Sequence, residues 1–456
     1  MNGIKRSKFR RLTGIAVATL MCLSMMVPAM AEEQPYVGPE GSSALNQAQS
    51  VITKKLDMHK DVTTPTATYT FTFTPKTIDG EDYDPIEKNM PPVGPITVSF
   101  SALDDADDNV KKHFEGDTKS VIKETPKITA TTIWPDVGIY VYEVHEEDGG
   151  VTLVGLPEKT GYKNSEARYK FEFWVDRDST GALYVKYVNV LTIEKYIDVF
   201  YPGHEGGEKV DPTPDRWDKE LQQDIEDAFS GVIFTNDYWK SDGGGTEKPG
   251  EAPFKLSKDI TGLGSDTMKD VYFKFVITAT KPSMVPDTPT VFYKAYVLDA
   301  DGEVVKTNAN HPDTDSEGYF TVESGTEFEV DLKHGETLVF IDLHVGTLVE
   351  VEEQYNKDFI PTYKHNFSGS DETFKATEAI AWGFPRETGA TNDDPGPHYI
   401  KENNVNKAEF LNYRINATPT GLDVDDLPYV VLISLAIAGL VGFALVKLRK
   451  RTSTDS

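Results

Sequence analysis

The chain reads as all-β: two tandem antiparallel β-sandwich domains, with a signal peptide before them and a transmembrane helix after them. Three observations predict this. Apolar and polar residues alternate with period two in one run after another. Turn clusters such as Asp79-Gly80 and Asp301-Gly302 punctuate the runs. A Gly/Pro-rich stretch at 241–251 (SDGGGTEKPGE) divides the middle of the chain in two.

Composition supports a folded, multi-domain protein. Of 456 residues, 38% are hydrophobic and 26% charged, a globular balance. The net charge of -28 argues against nucleic acid or an anionic membrane surface as a partner, because phosphates repel such a surface. The single cysteine excludes a disulfide scaffold and a Cys-based zinc site.

The elements follow in order. Lys5, Arg6, Lys8, Arg10 and Arg11 form a basic n-region ahead of the apolar stretch 12–27, and Ala29-Met30-Ala31 supplies a small-x-small cleavage site. Residues 1–31 are therefore expected to be a signal peptide. Cys22 is no lipobox cysteine, since Met21 before it is not small. Residues 32–49 are polar and expected to be disordered.

The first domain is expected over 50–240. Its strand runs include 67–73 (ATYTFTF), 140–144 (YVYEV), 169–173 (YKFEF) and 183–193. The stretch 218–229 hints at a short helix, and 203–215 reads as a loop. Residues 241–251 are the expected linker. The second domain, expected over 252–416, repeats the style at 271–277, 291–298 and 337–343. The acid clusters 104–108 and 299–301 lack the spacing of a helix-loop-helix calcium site and read as solvated turns.

The far end carries a compound signal. Pro419-Thr420-Gly421 stands before an uncharged stretch, 427–446, which is long enough to span a bilayer core. Lys447, Arg449, Lys450 and Arg451 follow and would hold the tail in the cytoplasm. Pro-Thr-Gly, an apolar span and a basic tail, in that order, resemble a sortase sorting signal of Gram-positive bacteria, in its Pro-Thr-Gly variant. The resemblance implies cleavage between Thr420 and Gly421 and transfer of the Thr420 carbonyl to an amine.

No conventional active site emerges. The nine His are scattered without a His-Glu-x-x-His pattern, and there is neither a Gly-x-Ser-x-Gly elbow nor a phosphate loop. No metal or cofactor is expected, and the chain is not expected to be an enzyme. One constellation recurs in both halves. Each half opens with a strand carrying a Lys: 51–56 (VITKKL) with Lys54 and Lys55, and 256–262 (LSKDITG) with Lys258. Each closes with a strand carrying an Asn: 233–238 with Asn236, and 410–413 with Asn412. Between them lies an acid two residues after a Val: Val144-His145-Glu146 and Val351-Glu352-Glu353.

This order of Lys, acid and Asn resembles the isopeptide-forming, Ig-like domains of the Cna B type, and the whole chain resembles the sortase-assembled major pilins of the streptococcal T-antigen type. The resemblance runs from about Val51 to the tail. It rests on Thr53-Lys54-Lys55-Leu56-Asp57, the stretch 140–146, Leu343-His344-Val345-Gly346-Thr347 and the Pro-Thr-Gly signal. It implies a cell-wall-anchored pilus subunit in which Lys54 is joined to Asn236 and Lys258 to Asn412, with Glu146 and Glu353 assisting.

The chemistry follows from first principles. An amine attacks a carboxamide only when neutral, and burial in an apolar core drives a Lys toward neutrality and a carboxyl toward its protonated form. Folding holds the groups together, which supplies the proximity. A protonated Glu146 would hydrogen-bond the amide oxygen of Asn236 and polarise it. Parity allows one of Lys54 and Lys55, and one of each Glu pair (Glu146 or Glu147, Glu352 or Glu353), to face inward. The resemblance favours Lys54.

The resemblance also implies an acceptor Lys for polymerisation shortly before the closing strand of the first domain. Lys209 is the nearest equivalent, whereas Tyr201-Pro202-Gly203 lacks the Lys of a Tyr-Pro-Lys motif. The partners implied are sortase, other pilin subunits and peptidoglycan. An alternative is a monomeric wall-anchored adhesin or minor pilin, binding a host surface ligand through insertions such as 77–95 and 389–403.

Overall fold

The computed structural model describes residues 40–414, apart from 85–89, 129–132, 148–158, 194–206, 214–216, 219–222, 225–228, 243–251, 263, 307–313, 355, 357, 368–371, 376–397 and 403–405; beyond 414 it describes Ala436 alone. The signal peptide, the Pro419-Thr420-Gly421 signal and the apolar stretch 427–446, Ala436 excepted, lie outside the described residues. Among the described residues no helix is long and apolar enough to cross a membrane.

The protein is all-β, built as tandem β-sandwiches. Strands of the first sandwich are β1 (Thr53–His59), β2 (Ala67–Ile78), β3 (Glu81–Asp82), β4 (Ile96–Phe100), β5 (Lys111–Glu115), β6 (Thr118–Glu124) and β7 (Gly138–Glu146). They continue with β8 (Gly161–Lys163), β9 (Arg168–Arg177), β10 (Leu183–Thr192), β11 (Lys209–Val210), β12 (Trp217–Asp218), β13 (Gln223–Asp224) and β14 (Ile233–Trp239). One sheet runs β5-β6-β1-β14-β8, and the sheet facing it runs β11-β10-β9-β7-β2-β3, with β4 on β2.

The second sandwich comprises β15 (Phe254–Gly262), β16 (Phe273–Thr280), β17 (Phe292–Leu298), β18 (Tyr319–Glu323) and β19 (Phe328–Leu332). Its remaining strands are β20 (Thr337–Phe340), β21 (Leu348–Glu353), β22 (Phe359–Asn366), β23 (Glu372–Lys375) and β24 (Lys407–Arg414). The larger sheet is ordered β18-β17-β20-β15-β24-β22-β23, and the smaller β19-β16-β21.

Period-two alternation is what makes these strands face a core. Along β2 the residues Ala67, Tyr69, Phe71 and Phe73 are buried while Thr68 between them is exposed. β7 and β9 contribute Tyr140, Tyr142, Val144, Tyr169, Phe171 and Phe173 to the same core. On the inner face of the larger sheet Phe73, Tyr142, Phe171 and Phe173 meet edge-on or offset, geometries that the ring quadrupoles favour. The Asp79-Gly80 turn closes the β2–β3 hairpin with both residues at positive φ, 51° and 84°, where Gly80 carries no Cβ penalty.

In each sandwich the opening and closing strands lie side by side and parallel. β1 pairs β14 and β15 pairs β24. Parallel neighbours need a long crossover, and here the whole domain is that crossover.

Several local expectations are corrected. The stretch 218–229 supplies no helix at its described positions: Trp217–Asp218 pairs antiparallel with Gln223–Asp224. Within 203–215, Lys209–Val210 forms β11 on the edge of β10. Residues 40–49, read as disordered, dock on β10 instead, with Gly41 N–H and Ala48 N–H bonding the Lys186 and Val185 carbonyls and Ala48 buried. Asp104 and Asp105 are not solvated turn residues, because they pair with Lys123 and Lys119 and Asp104 is buried. The segment 77–95 is partly built into the fold: Met90 and Val93 are buried, and the Tyr142 hydroxyl donates to the Pro91 carbonyl at 2.7 Å.

The start of the expected linker is also engaged. Ser241 and Asp242 are buried, and Asp242 N–H bonds the Leu343 carbonyl. Beside them Lys240 pairs with Glu402 at 2.5 Å, and Glu402 also accepts the Thr63 N–H at 2.6 Å.

Candidate functional site

Register brings each Lys to its Asn. Across β1 and β14, Lys54 lies opposite Phe234 and Leu56 opposite Asn236. Across β15 and β24, Lys258 lies opposite Phe410 and Ile260 opposite Asn412. In both pairs the Asn sits two residues beyond the partner of the Lys, so the two side chains emerge on the same face. That face looks into the core. The acid comes from the opposing sheet, where Glu146 is paired with Phe71 and Glu353 with Phe275.

Parity sorts the neighbours. Lys54 and Lys258 are 0% exposed, whereas the Lys55 side chain keeps 21% of its surface and pairs with Asp57. Glu146 and Glu353 have fully buried side chains, while Glu147 is exposed and Glu352 half-buried.

The aromatic surroundings repeat as well. Lys54 Nζ lies 4.2 Å from the centre of the Tyr69 ring, and Lys258 Nζ lies 4.2 Å from that of Phe273. Phe71 contacts Phe234 at 4.9 Å between centroids, and Phe275 contacts Phe410 at 5.1 Å. Each trio is thus sealed by an aromatic pair from the same strand positions.

The contacts within the trios are direct. In the first, Lys54 Nζ donates to Glu146 Oε2 at 2.5 Å and also to Asn236 Oδ1. Asn236 Nδ2 donates to Glu146 Oε1 at 2.5 Å and to Asn164 Oδ1 at 3.2 Å, and the Ser165 N–H donates to Asn236 Oδ1 at 2.8 Å. In the second, Lys258 Nζ and Asn412 Nδ2 both donate to Glu353 Oε1, at 2.9 and 2.6 Å. Glu353 Oε2 and Asn412 Oδ1 are buried without a hydrogen-bond partner among the described residues.

These contacts correct one expectation. The carboxyl does not address the amide oxygen in either trio. It holds the amide nitrogen, and in the first trio the oxygen is held by Ser165 N–H and Lys54. A backbone N–H can only donate, so Ser165 fixes which end of the Asn236 carboxamide is which.

Burial sets the electrostatics. Desolvation lowers Lys258 from 10.5 to about 8, against the opposing pull of Glu353. Burial, reinforced by the nearby Glu146, raises the Tyr69 hydroxyl well above its ordinary value. Among the described residues no cluster of His, Cys, Asp and Glu is fit to hold a metal ion.

Lys209 stands apart from both trios. It is exposed on β11, paired in register with Leu191. Asn164 and Ser165, which the sequence reading missed, lie just after β8, and no spacing motif marks them.

Comparison with known proteins gives three results. A family model described as a domain of unknown function (DUF7601) matches residues 253–385, a span that contains Lys258 and Glu353 and stops before Asn412. No curated protein sequence matches the chain. Among solved structures, the major pilin of Streptococcus pyogenes is similar at 14% identity, covering 81% of this chain and 100% of that one with a TM-score of 0.28. The T-13 major pilin of S. pyogenes is similar at 12% identity, covering 80% and 97% with a TM-score of 0.27. A pilus-presented adhesin is similar at 13% identity, covering 50% of this chain and 36% of its own with a TM-score of 0.17.

Proposed function

We propose that each sandwich staples itself with a Lys–Asn isopeptide bond, Lys54 to Asn236 and Lys258 to Asn412, and that the chain is a structural subunit of a Gram-positive surface fibre of the pilin type. The observation that carries this reading is the recurrence of a buried Lys, Glu and Asn in one register, within hydrogen-bond reach and under aromatic cover. A buried ion pair is a poor stabiliser, since desolvation offsets most of its attraction. Burying one at the same place in both sandwiches makes sense as chemistry.

In the reaction, the Glu carboxylate takes a proton from the Lys ammonium. The neutral Nζ attacks Cγ of the Asn. A C–N bond forms between Nζ and Cγ, and the carbonyl oxygen takes the displaced electron pair. The Glu gives the proton it holds to Nδ2 and takes a second from Nζ; the oxygen's electron pair re-forms the carbonyl, the Cγ–Nδ2 bond breaks, ammonia leaves, and the Glu is left protonated. The Glu contact with Nδ2, at 2.5 Å for Glu146 and 2.6 Å for Glu353, suits it to deliver that proton.

The bonds would join first strand to last, closing loops of roughly 180 and roughly 155 residues, each worth ~5 kcal/mol in the chain-entropy account of cross-links. Their mechanical effect is greater: a fibre pulled through its opening and closing strands is held by a covalent bond at that seam. An amide needs no oxidant and survives reductants, in keeping with a chain whose one cysteine lies in the expected signal peptide.

The surface reading rests on the sequence at the two ends. The signal peptide would export the chain, and the Pro419-Thr420-Gly421 signal would let sortase join Thr420 to an amine of the next subunit or of peptidoglycan. Lys209, exposed on its edge strand, is the proposed acceptor.

Intact mass of the mature chain under denaturing conditions tests the staples. The expected result is a deficit of two ammonia masses, with cross-linked peptides joining Lys54 to Asn236 and Lys258 to Asn412. An unmodified mass would refute the reading. On cells, a ladder of high-mass species that collapses in Lys209→Ala supports the fibre and its acceptor; a single monomeric band indicates a wall-anchored adhesin instead.

A further inference from the structure

The two trios share a register but differ at the carboxamide. Asn236 is held at both ends by residues outside its trio. Ser165 N–H lies 2.8 Å from Oδ1, and Asn164 Oδ1 lies 3.2 Å from Nδ2. Both partners come from the turn that follows β8, the strand hydrogen-bonded to β14 on the far side from β1. The segment leaves the sheet that carries Lys54 and Asn236 and leads to β9 in the facing one, and the pairing of β8 with β14 sets its distance from Asn236. Asn412 has no such neighbour: its Oδ1 is buried and unpartnered among the described residues.

We propose that the Asn164–Ser165 turn is a built-in oxyanion and amide-holding element for the first isopeptide bond. This rests on the isopeptide reading above. When Lys54 Nζ bonds to Cγ, the carbonyl electrons move onto Oδ1, and the Ser165 N–H already points at that oxygen. A preorganised backbone donor in a dry site stabilises this charge without reorganising. Asn164 Oδ1 accepts from the leaving nitrogen and keeps the amide plane from rotating, so Glu146 stays on Nδ2 and Cγ faces Lys54. Glu146 Oε1 accepts from the same nitrogen while its Oε2 is engaged with Lys54, and Asn164 adds the second acceptor that fixes the amide plane.

The second sandwich provides an internal clock. The full-length chain is synthesised in a cell-free reaction, quenched in denaturant at intervals, and mapped for the two cross-linked peptides. Ser165→Pro removes the N–H and is expected to slow the Lys54–Asn236 bond by about a hundredfold, with the Lys258–Asn412 bond unchanged. Ser165→Ala keeps the N–H and is expected to match wild type. Asn164→Ala is expected to slow the first bond about fivefold, the loss of one hydrogen bond, and Asn164→Asp, which retains the accepting oxygen, to restore it.

A turn that merely supports the fold would not sort these variants by hydrogen-bonding capacity. Wild-type first-bond rates in both Ser165→Pro and Asn164→Ala would overturn the proposal. So would equal slowing in Ser165→Pro and Ser165→Ala. Absence of both cross-links from the wild-type chain would instead overturn the isopeptide reading itself.

Discussion

In the first sandwich the Asn236 carboxamide is gripped at its oxygen and at its nitrogen, whereas in the second, among the described residues, Asn412 is gripped at its nitrogen alone. Everything that depends on strand register is the same in the two. Lys54 and Lys258 face equivalent partners, Glu146 and Glu353 arrive from equivalent positions, and Phe71 and Phe275 close the same gap. What differs comes from a turn in the first sandwich. Register therefore brings the Lys, Glu and Asn side chains together, and the segment after β8 refines how one of them is held. A second difference is that Tyr69 underlies Lys54 where Phe273 underlies Lys258. The first pocket is thus the more polar.

The largest expected effect breaks one staple and spares the other. Glu146→Ala is expected to leave the first bond unformed and the second intact, with a deficit of a single ammonia mass; Glu353→Ala gives the converse. Each loss is expected to cost ~5 kcal/mol of unfolding stability in its own sandwich, read by denaturant unfolding. If either variant still forms both bonds, the assigned role of that Glu is wrong.

The next effect sharpens the electrostatic side of the comparison. With Lys258 lowered to about 8, the neutral amine grows roughly tenfold per pH unit below that value and saturates above it. Formation of the second bond is expected to accelerate as pH rises toward about 8 and then to level, in a time course of cross-linked peptide. In Asn412→Ala, where the amine stays free, the sign is fixed by linkage. The unfolded chain retains its Lys258 proton up to 10.5, and the folded chain releases it near 8, so stability is expected to rise between those values, by about 3 kcal/mol. A flat profile would contradict a buried amine.

The smallest expected effect tests parity. Lys55→Ala and Glu147→Ala alter side chains that point away from the core and are expected to leave both bonds intact. Loss of the exposed Glu147 carboxylate is expected to change stability by less than about 1 kcal/mol in thermal melts, while Lys55→Ala costs more because it leaves the buried Asp57 carboxylate without its ion pair. Loss of the first cross-link in Lys55→Ala would mean the register is shifted by one.

Much of this was legible beforehand because a strand is a local pattern. The alternation in 67–73 and 140–144 marks which side chains face inward, and the same parity allows only one of Glu146 and Glu147 inside, which in the structure is Glu146. The short elements were harder to read. Trp217–Asp218 and Gln223–Asp224 are two-residue strands in a stretch with helical composition, too short for either periodicity to register. Residues 40–49 carry few large apolar groups and read as disordered, yet they are held by backbone bonds to β10, which composition does not report. The acids at 104 and 105 looked like a solvated turn because their partners, Lys123 and Lys119, lie a strand away.

The sequence by itself determined the all-β class and the repeated order of Lys, acid and Asn, since residue type and period-two parity are local properties; parity left one of Lys54 and Lys55, and one of each Glu pair, to face inward. Only the tertiary structure decided how those members meet. The parallel pairing of first and last strands joins residues as far as 182 positions apart, and no local pattern encodes such a distance. The structure alone also put the carboxyl on the amide nitrogen and a backbone N–H on the oxygen. The choice depends on which turn β14 brings alongside, and a backbone amide is the same in every residue but proline, so it leaves no trace in the sequence.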